Sequence, residues 1–274
     1  MNKMIFSHEF RVRIKSILTW GISVSALVFV FFSFFTIFAD QAEMMNEMLA
    51  KFPEEFLIAF GMDGLNYHTV LGYISFYFLF IQLCLAIQAG NFGFGLVSIE
   101  ENEMTADFLL TRPVSRTKIL TSKLLAALAS MLLTTILIWI STILAISIFA
   151  KGYEYDTPTL ILILLSVVFL QLFFFSVGLF ISLLVKRVRN VTPYSLGLAF
   201  GAYVLSAFSG VFGDVKLEYI TPFKHLEPNY IIDHAAYNTP LVVINVLISI
   251  ICLVASYWLY NHRDIHAVDR KSVV

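Results

Sequence analysis

The sequence predicts an all-α membrane protein with six transmembrane helices, and three observations carry that prediction. Of its 274 residues 59% are hydrophobic and 14% charged, and the mean hydropathy is +0.83; soluble domains carry roughly 25% charged residues. Six windows hold no Asp, Glu, Lys or Arg at all: Ser16–Ala39, Val70–Ile99, Leu124–Ala150, Thr157–Val185, Asn190–Gly213 and Thr239–Tyr260. Each is long enough for a helix to cross the hydrocarbon core, which takes about 20 residues. The third observation is where the cations stand. Fourteen Lys and Arg lie in the N-terminal segment, the second and fourth loops and the tail, against only Lys51, Lys151, Lys216 and Lys224 in the alternate loops. Basic loops stay on the inner side of a membrane, so both termini are expected in the cytosol of a multi-pass cell-membrane protein.

The spans are expected at about 16–39, 70–97, 118–150, 158–185, 191–213 and 239–260, within a transmembrane domain of residues 16–262, with 263–274 as a cytosolic tail. A net charge of −1 without a basic tail argues against nucleic acid as a partner. Cys84 and Cys252 both lie inside apolar spans, which argues against a disulfide framework. The first apolar run follows a basic amphipathic stretch and is too long for the core of a cleaved signal.

Residues 1–15 are expected to form an interfacial amphipathic helix. Phe6, Phe10, Ile14 and Leu18 recur every four residues, while His8, Arg11 and Lys15 take the opposite face. The loop 40–69 is acidic and predicted to be helical over Gln41–Leu49 and Glu54–Phe60, with breaks at Pro53, Gly61 and Gly64.

The insert at 98–123, between the second and third spans, is the most informative stretch. Glu100, Glu101, Glu103 and Asp107 crowd the start of a predicted helix, where carboxylates favour the positive end of the helix dipole. Phe108, Met104, Glu101 and Glu100 share a side, extended by Leu109 and Leu110. Pro113 ends the helix, because the residue before a proline is biased out of the α region. Ser115 suits an N-cap for the helix that follows, and Arg116 is among the cations of that restart. A buriable Phe-Leu-Leu face between charges is what a membrane protein needs to receive mechanical work from a soluble partner. The next helix, read from Ser115 to Ala150, is on the order of 54 Å long, so its first turns project from a hydrocarbon core of about 30 Å.

Gly90, Gly93 and Gly95 have neither a preceding strand nor a following Gly-Lys-Ser/Thr, so they read as a place of close helix approach rather than a phosphate loop. No P-loop occurs anywhere, and any ATP used is bound by another polypeptide. Gly197 and Gly201 form a G-x-x-x-G in the fifth span, suited to tight packing within the bundle or to a dimer contact. The loop 214–238, with Thr221-Pro222-Phe223 and Pro228, is expected to be a short re-entrant or interfacial element. The spans hold only mild polar groups, Gln82, Gln88, Asn91, Gln171 and Asn245, while all six histidines lie outside the charge-free windows. Ion-coupled transporters usually carry an intramembrane carboxylate or His, so either transport energy is supplied from outside the spans or the protein does not transport. The same gap, and the missing H-E-x-x-H, disfavours metal hydrolysis.

The insert resembles the cytosolic segment of type-two ABC exporter permeases, the membrane-spanning subunits of ATP-driven exporters. The matching residues are Glu101, Thr105, Leu109, Leu110, Pro113, Ser115, Arg116 and Lys123. Met104 stands where that family commonly has Gly. Glu9-Phe10-Arg11 resembles the family's interfacial elbow helix, and Thr221-Pro222-Phe223 its external hairpin before the last span. The resemblance implies a permease subunit with no catalytic residue, metal or cofactor of its own, ATP and Mg being held by separate ABC ATPase subunits. It implies a second permease copy or paralogue as partner, besides membrane lipid. Segment 98–117 would be the coupling helix, with Glu100, Glu101, Met104, Thr105, Phe108, Leu109, Leu110, Pro113, Ser115 and Arg116 as the ATPase-coupling interface. From the residues alone a second function fits the same topology: a non-transporting membrane assembly or sensor subunit whose insert binds a cytosolic regulatory protein.

Overall fold

The computed structural model of the chain describes residues 2–62, 64–102, 115–185, 188–213 and 215–262. Helix α1 (Lys3–Ser33) starts at Asn2, whose side chain accepts from the Met4 N–H at 3.0 Å. The amphipathic segment expected as a separate element over 1–15 is instead the opening of this one helix. No Gly or Pro interrupts residues 3–20, and Glu9 and Arg13 pair one turn apart along it. A single turn at Phe34 leads into α2 (Phe35–Asp40). The loop beyond is helical where its sequence predicts, in α3 (Ala42–Leu49) and α4 (Glu54–Ala59), with Pro53 at the start of the latter.

Two long helices follow, α5 (Val70–Asn102) and α6 (Arg116–Phe149), then α7 (Thr157–Leu184) and α8 (Val191–Phe212). Three short helices, α9 (Val215–Glu218), α10 (Pro222–His225) and α11 (Pro228–His234), precede the last long one, α12 (Thr239–His262). Among the described residues there is no strand. Among the described residues six helices are long and apolar enough to cross a membrane. Their limits follow from local chemistry. Asp156 caps α7 by accepting from the N–H of Thr159 at 3.0 Å and its hydroxyl at 2.6 Å, and Pro158 sits in the first turn, where it costs no hydrogen bond. Gly213 closes α8 in the left-handed conformation (φ 59°) that favours glycine.

Helices α5 and α7 form the centre. About 72% of the apolar stretch of α5 and 61% of that of α7 are buried inside the chain, against 22–33% for the other four. The outer four helices thus leave most of their apolar surface uncovered by the chain itself. Helix α6 pairs with α1, while α8 leans on α5 and α12 on α7. The central pair approach closely because Gly93 has no side chain: a Cβ there would stand 2.3 Å from the Phe175 carbonyl oxygen. Such small-residue contacts let helix backbones meet where lipid supplies no hydrophobic drive.

The chain termini of the bundle and the ends of α5 and α7 share one end, called here the base. At the far end an aromatic cluster fills the core, with Phe32, Phe35, Tyr73 and Tyr77 all buried. The loop before α12 dives into that end. Phe223 packs tilted against Phe174 and edge-on to Tyr203, with ring centroids 5.6 and 6.3 Å away. Gln82 donates to the Leu226 carbonyl at 3.0 Å. Gln82 lies twelve residues inside α5, about 18 Å along its axis, so the loop is re-entrant rather than interfacial.

Candidate functional site

The sequence places function at the base, where the insert leaves α5 and enters α6. The structure puts Glu100 and Glu101 on the last turn of α5. Met104, Thr105, Phe108, Leu109, Leu110 and Pro113 lie outside the described residues. Ser115 occupies the N-cap of α6 with extended backbone (φ −65°, ψ 144°), but its side chain makes no capping bond. It is exposed, and Arg116, the first helical residue, is half-buried.

The two helices that carry the insert are long. Helix α6 has 34 residues and spans about 51 Å, which exceeds a hydrocarbon core of about 30 Å by several turns. Each is one continuous helix over its described length.

The first turns of α6 are tied to three neighbours. Toward α1, the Asn2 N–H donates to Ser122 Oγ at 2.7 Å, and Lys123 Nζ lies 3.8 Å from the Glu9 carboxylate. Arg13 binds the same carboxylate at 2.5 Å. Toward α5, Lys123 Nζ donates to the Leu96 carbonyl at 2.9 Å. Toward α12, Thr117 donates to the Asn261 amide oxygen at 3.3 Å, and the Thr121 and Tyr257 hydroxyls meet at 3.0 Å. Lys123 is 2% exposed, which places a full positive charge inside the protein.

Halfway up, a buried polar seam joins α6 to the central pair. Gln88 Nε2 donates to Thr134 Oγ1 at 3.0 Å, Thr135 Oγ1 donates to Gln171 Oε1 at 2.8 Å, and Gln171 Nε2 reaches Gln88 Oε1 at 3.4 Å. These mild polar groups of the sequence thus find one another, at the level where an unpaired amide is most costly. Asn91 accepts from Ser195 at 2.6 Å and links α5 to α8. Asn245 meets His225 of the re-entrant loop at 3.5 Å.

Gly197 and Gly201 behave differently. A Cβ built on either finds nothing within 4 Å, so among the described residues nothing packs against that face of α8. Among the described residues no group of three or more His, Cys, Asp or Glu side chains converges as a metal-ligand set. The arrangement consists of two long helices, a hub of hydrogen bonds at their root, and a hydrogen-bonded polar seam above it.

Sequence reasoning placed Lys123 in the insert and Glu9 in the N-terminal segment without joining them. A signal was present. Glu9 is the sole carboxylate before Asp40, set among four cations. Lys123 directly precedes a charge-free run of 27 residues, Leu124–Ala150. A family model described as ABC-2 family transporter protein matches residues 3–265 of the chain. No curated protein matches it.

Proposed function

The chain belongs to the ABC-2 family of transporter proteins, and from that premise we propose that it is the permease subunit of an ATP-binding cassette exporter, driven by separate ATPase subunits. It is a multi-pass membrane protein, and the membrane component of such a system is not itself catalytic. In this reading the base faces the cytosol, and segment 98–117 is the coupling helix seated on an ATPase. Nucleotide-driven closure of two ATPases moves the segment in each of two permease copies, and substrate passes outward.

The observation that supports the reading best is the hub at the root of α6. The insert does not hang from a slack loop. Its flanking helices are rods that outrun the hydrocarbon core, and Lys123 fastens one to the other. The six charge-free windows of the sequence hold no carboxylate or His of the kind an ion gradient acts through. Gly197 and Gly201, bare within the chain, support a contact between two copies along α8.

The test is purification in mild detergent with identification of bound partners, followed by ATP hydrolysis across candidate substrates. A co-purifying P-loop ATPase stimulated by a transported compound is expected. Glu101→Lys and Leu109→Asp are expected to leave membrane insertion intact while abolishing that stimulation. Unaltered stimulation in both variants overturns the coupling role. A soluble partner without ATPase activity would make the chain a sensor or assembly subunit instead.

A further inference from the structure

We propose that Lys123 is the positioning residue that locks both ends of segment 98–117 to the N-terminal helix, so that the three helices at the base move as one body. The proposal rests on reading the segment as the coupling helix and adds what holds it.

Lys123 stands in an apolar stretch. Ile119, Leu120, Leu124, Ala126 and Ala127 around it are all buried, and a Leu or Met would fill the same space without a charge to satisfy. A buried ammonium is tolerated only where it is paired and hydrogen-bonded. Its described partners come from two other elements. The Leu96 carbonyl, two residues before the segment begins, takes one of its protons at 2.9 Å. That carbonyl stands in mid-helix, so the bond uses its second lone pair. Glu9 of α1 supplies the countercharge at 3.8 Å, its carboxylate oriented by Arg13. On the adjacent residue, Ser122 receives the Asn2 N–H at 2.7 Å. The end of α5, the start of α6 and the start of α1 therefore share one charge.

The geometry makes the tie directional. If α5 slides against α6, the Lys123–Leu96 bond breaks. If α1 lags behind them, an ammonium and a carboxylate separate in a low-dielectric setting, where separation is most costly. The two ends of the segment and the N-terminal helix are thus tied at one charge, and neutralising Lys123 loosens that tie while leaving the apolar packing and the Asn2–Ser122 bond.

The experiment has two arms, each read for Lys123→Met, which keeps length and removes charge, and for Glu9→Gln. In the first arm, the assembled complex is expected to form, but the ratio of substrate-stimulated to basal ATP hydrolysis falls by about fivefold or more, the lower range of coupling between distant sites. The second arm uses the permease alone. Hydrogen exchange of amides in 94–102 and 3–13 is expected to rise together, with 157–184 unchanged; a loss of general stability would raise all three. Lys123→Arg, which keeps the charge, is expected to recover part of both effects. Wild-type stimulation and exchange in Lys123→Met overturn the inference while leaving the coupling role intact. Failure of both Glu101→Lys and Leu109→Asp to alter stimulation sinks the coupling role, and the exchange arm then still decides whether Lys123 ties the three helices. Should Lys123→Met not insert, Glu9→Gln carries both readouts.

Discussion

Single side chains decide where this chain tolerates polarity. Gln82 is 1% exposed, and its amide answers a backbone carbonyl 144 residues away in sequence. Replacing it with Leu keeps the volume but leaves the Leu226 carbonyl buried without that donor. The expected cost is about 1–3 kcal/mol, the penalty of an orphaned buried acceptor, seen as a lower unfolding midpoint in detergent; an unchanged midpoint would mean that another donor replaces it. The sequence shows Gln82 as a polar residue in an apolar run. It carries no sign of the partner, because a carbonyl has no residue identity and the pairing is set by how deep the later loop dives. Glu9 is a middle case. Its isolation among cations marks it as unusual, yet only the fold shows that it faces Lys123 rather than water or lipid headgroups.

Among elements, the helices were the legible part, because length, absence of charge and turn chemistry all act locally. The α3 and α4 segments, the N-cap position of Ser115 and the unbroken third span all follow from local rules. The boundary expected near residue 15 does not exist, since no breaker residue separates the basic turns from the apolar ones. Helix α7 is the element whose start is most explicitly built. The hydroxyl of Thr159 and then its N–H, both bound to Asp156, hold that carboxyl below its usual range. A depressed carboxyl contributes stability that is complete above the unfolded value and disappears as pH falls through the folded one. Stability is therefore expected to decline with acidification below about pH 4. The Asp156→Ala variant should lose part of that dependence. Unfolding midpoints measured from pH 6 to pH 3 check it, and parallel curves for the two proteins would refute the assignment.

For the whole molecule, the pairing scheme is a central α5–α7 couple with α8 and α12 on its flanks, and α6 joined to α1 beside it. The G-x-x-x-G of α8 was legible as a packing motif, but what packs there was not, since periodicity cannot distinguish an inner face from an outer one. Gly197 and Gly201 turn away from the chain's own helices. Gly197→Leu and Gly201→Leu are accordingly expected to fold as well as the parent, with helicity and unfolding midpoint retained. They should shift the detergent-solubilised protein from dimer to monomer by size-exclusion chromatography with light scattering. A dimer that persists in both variants would move the contact between copies elsewhere.

The re-entrant loop also imposes an order of events on the growing chain. Lipid cannot solvate the carbonyl of Leu226 at that depth, whereas the amide of Gln82 can. Residues 219–231 can therefore settle only against an α5 already in place, and the ribosome, working from the N-terminus, delivers the two in that sequence. Biogenesis of the last third of this protein is templated by its first third, so a truncated copy beginning after residue 102 would lack the surface on which its own final hairpin is shaped.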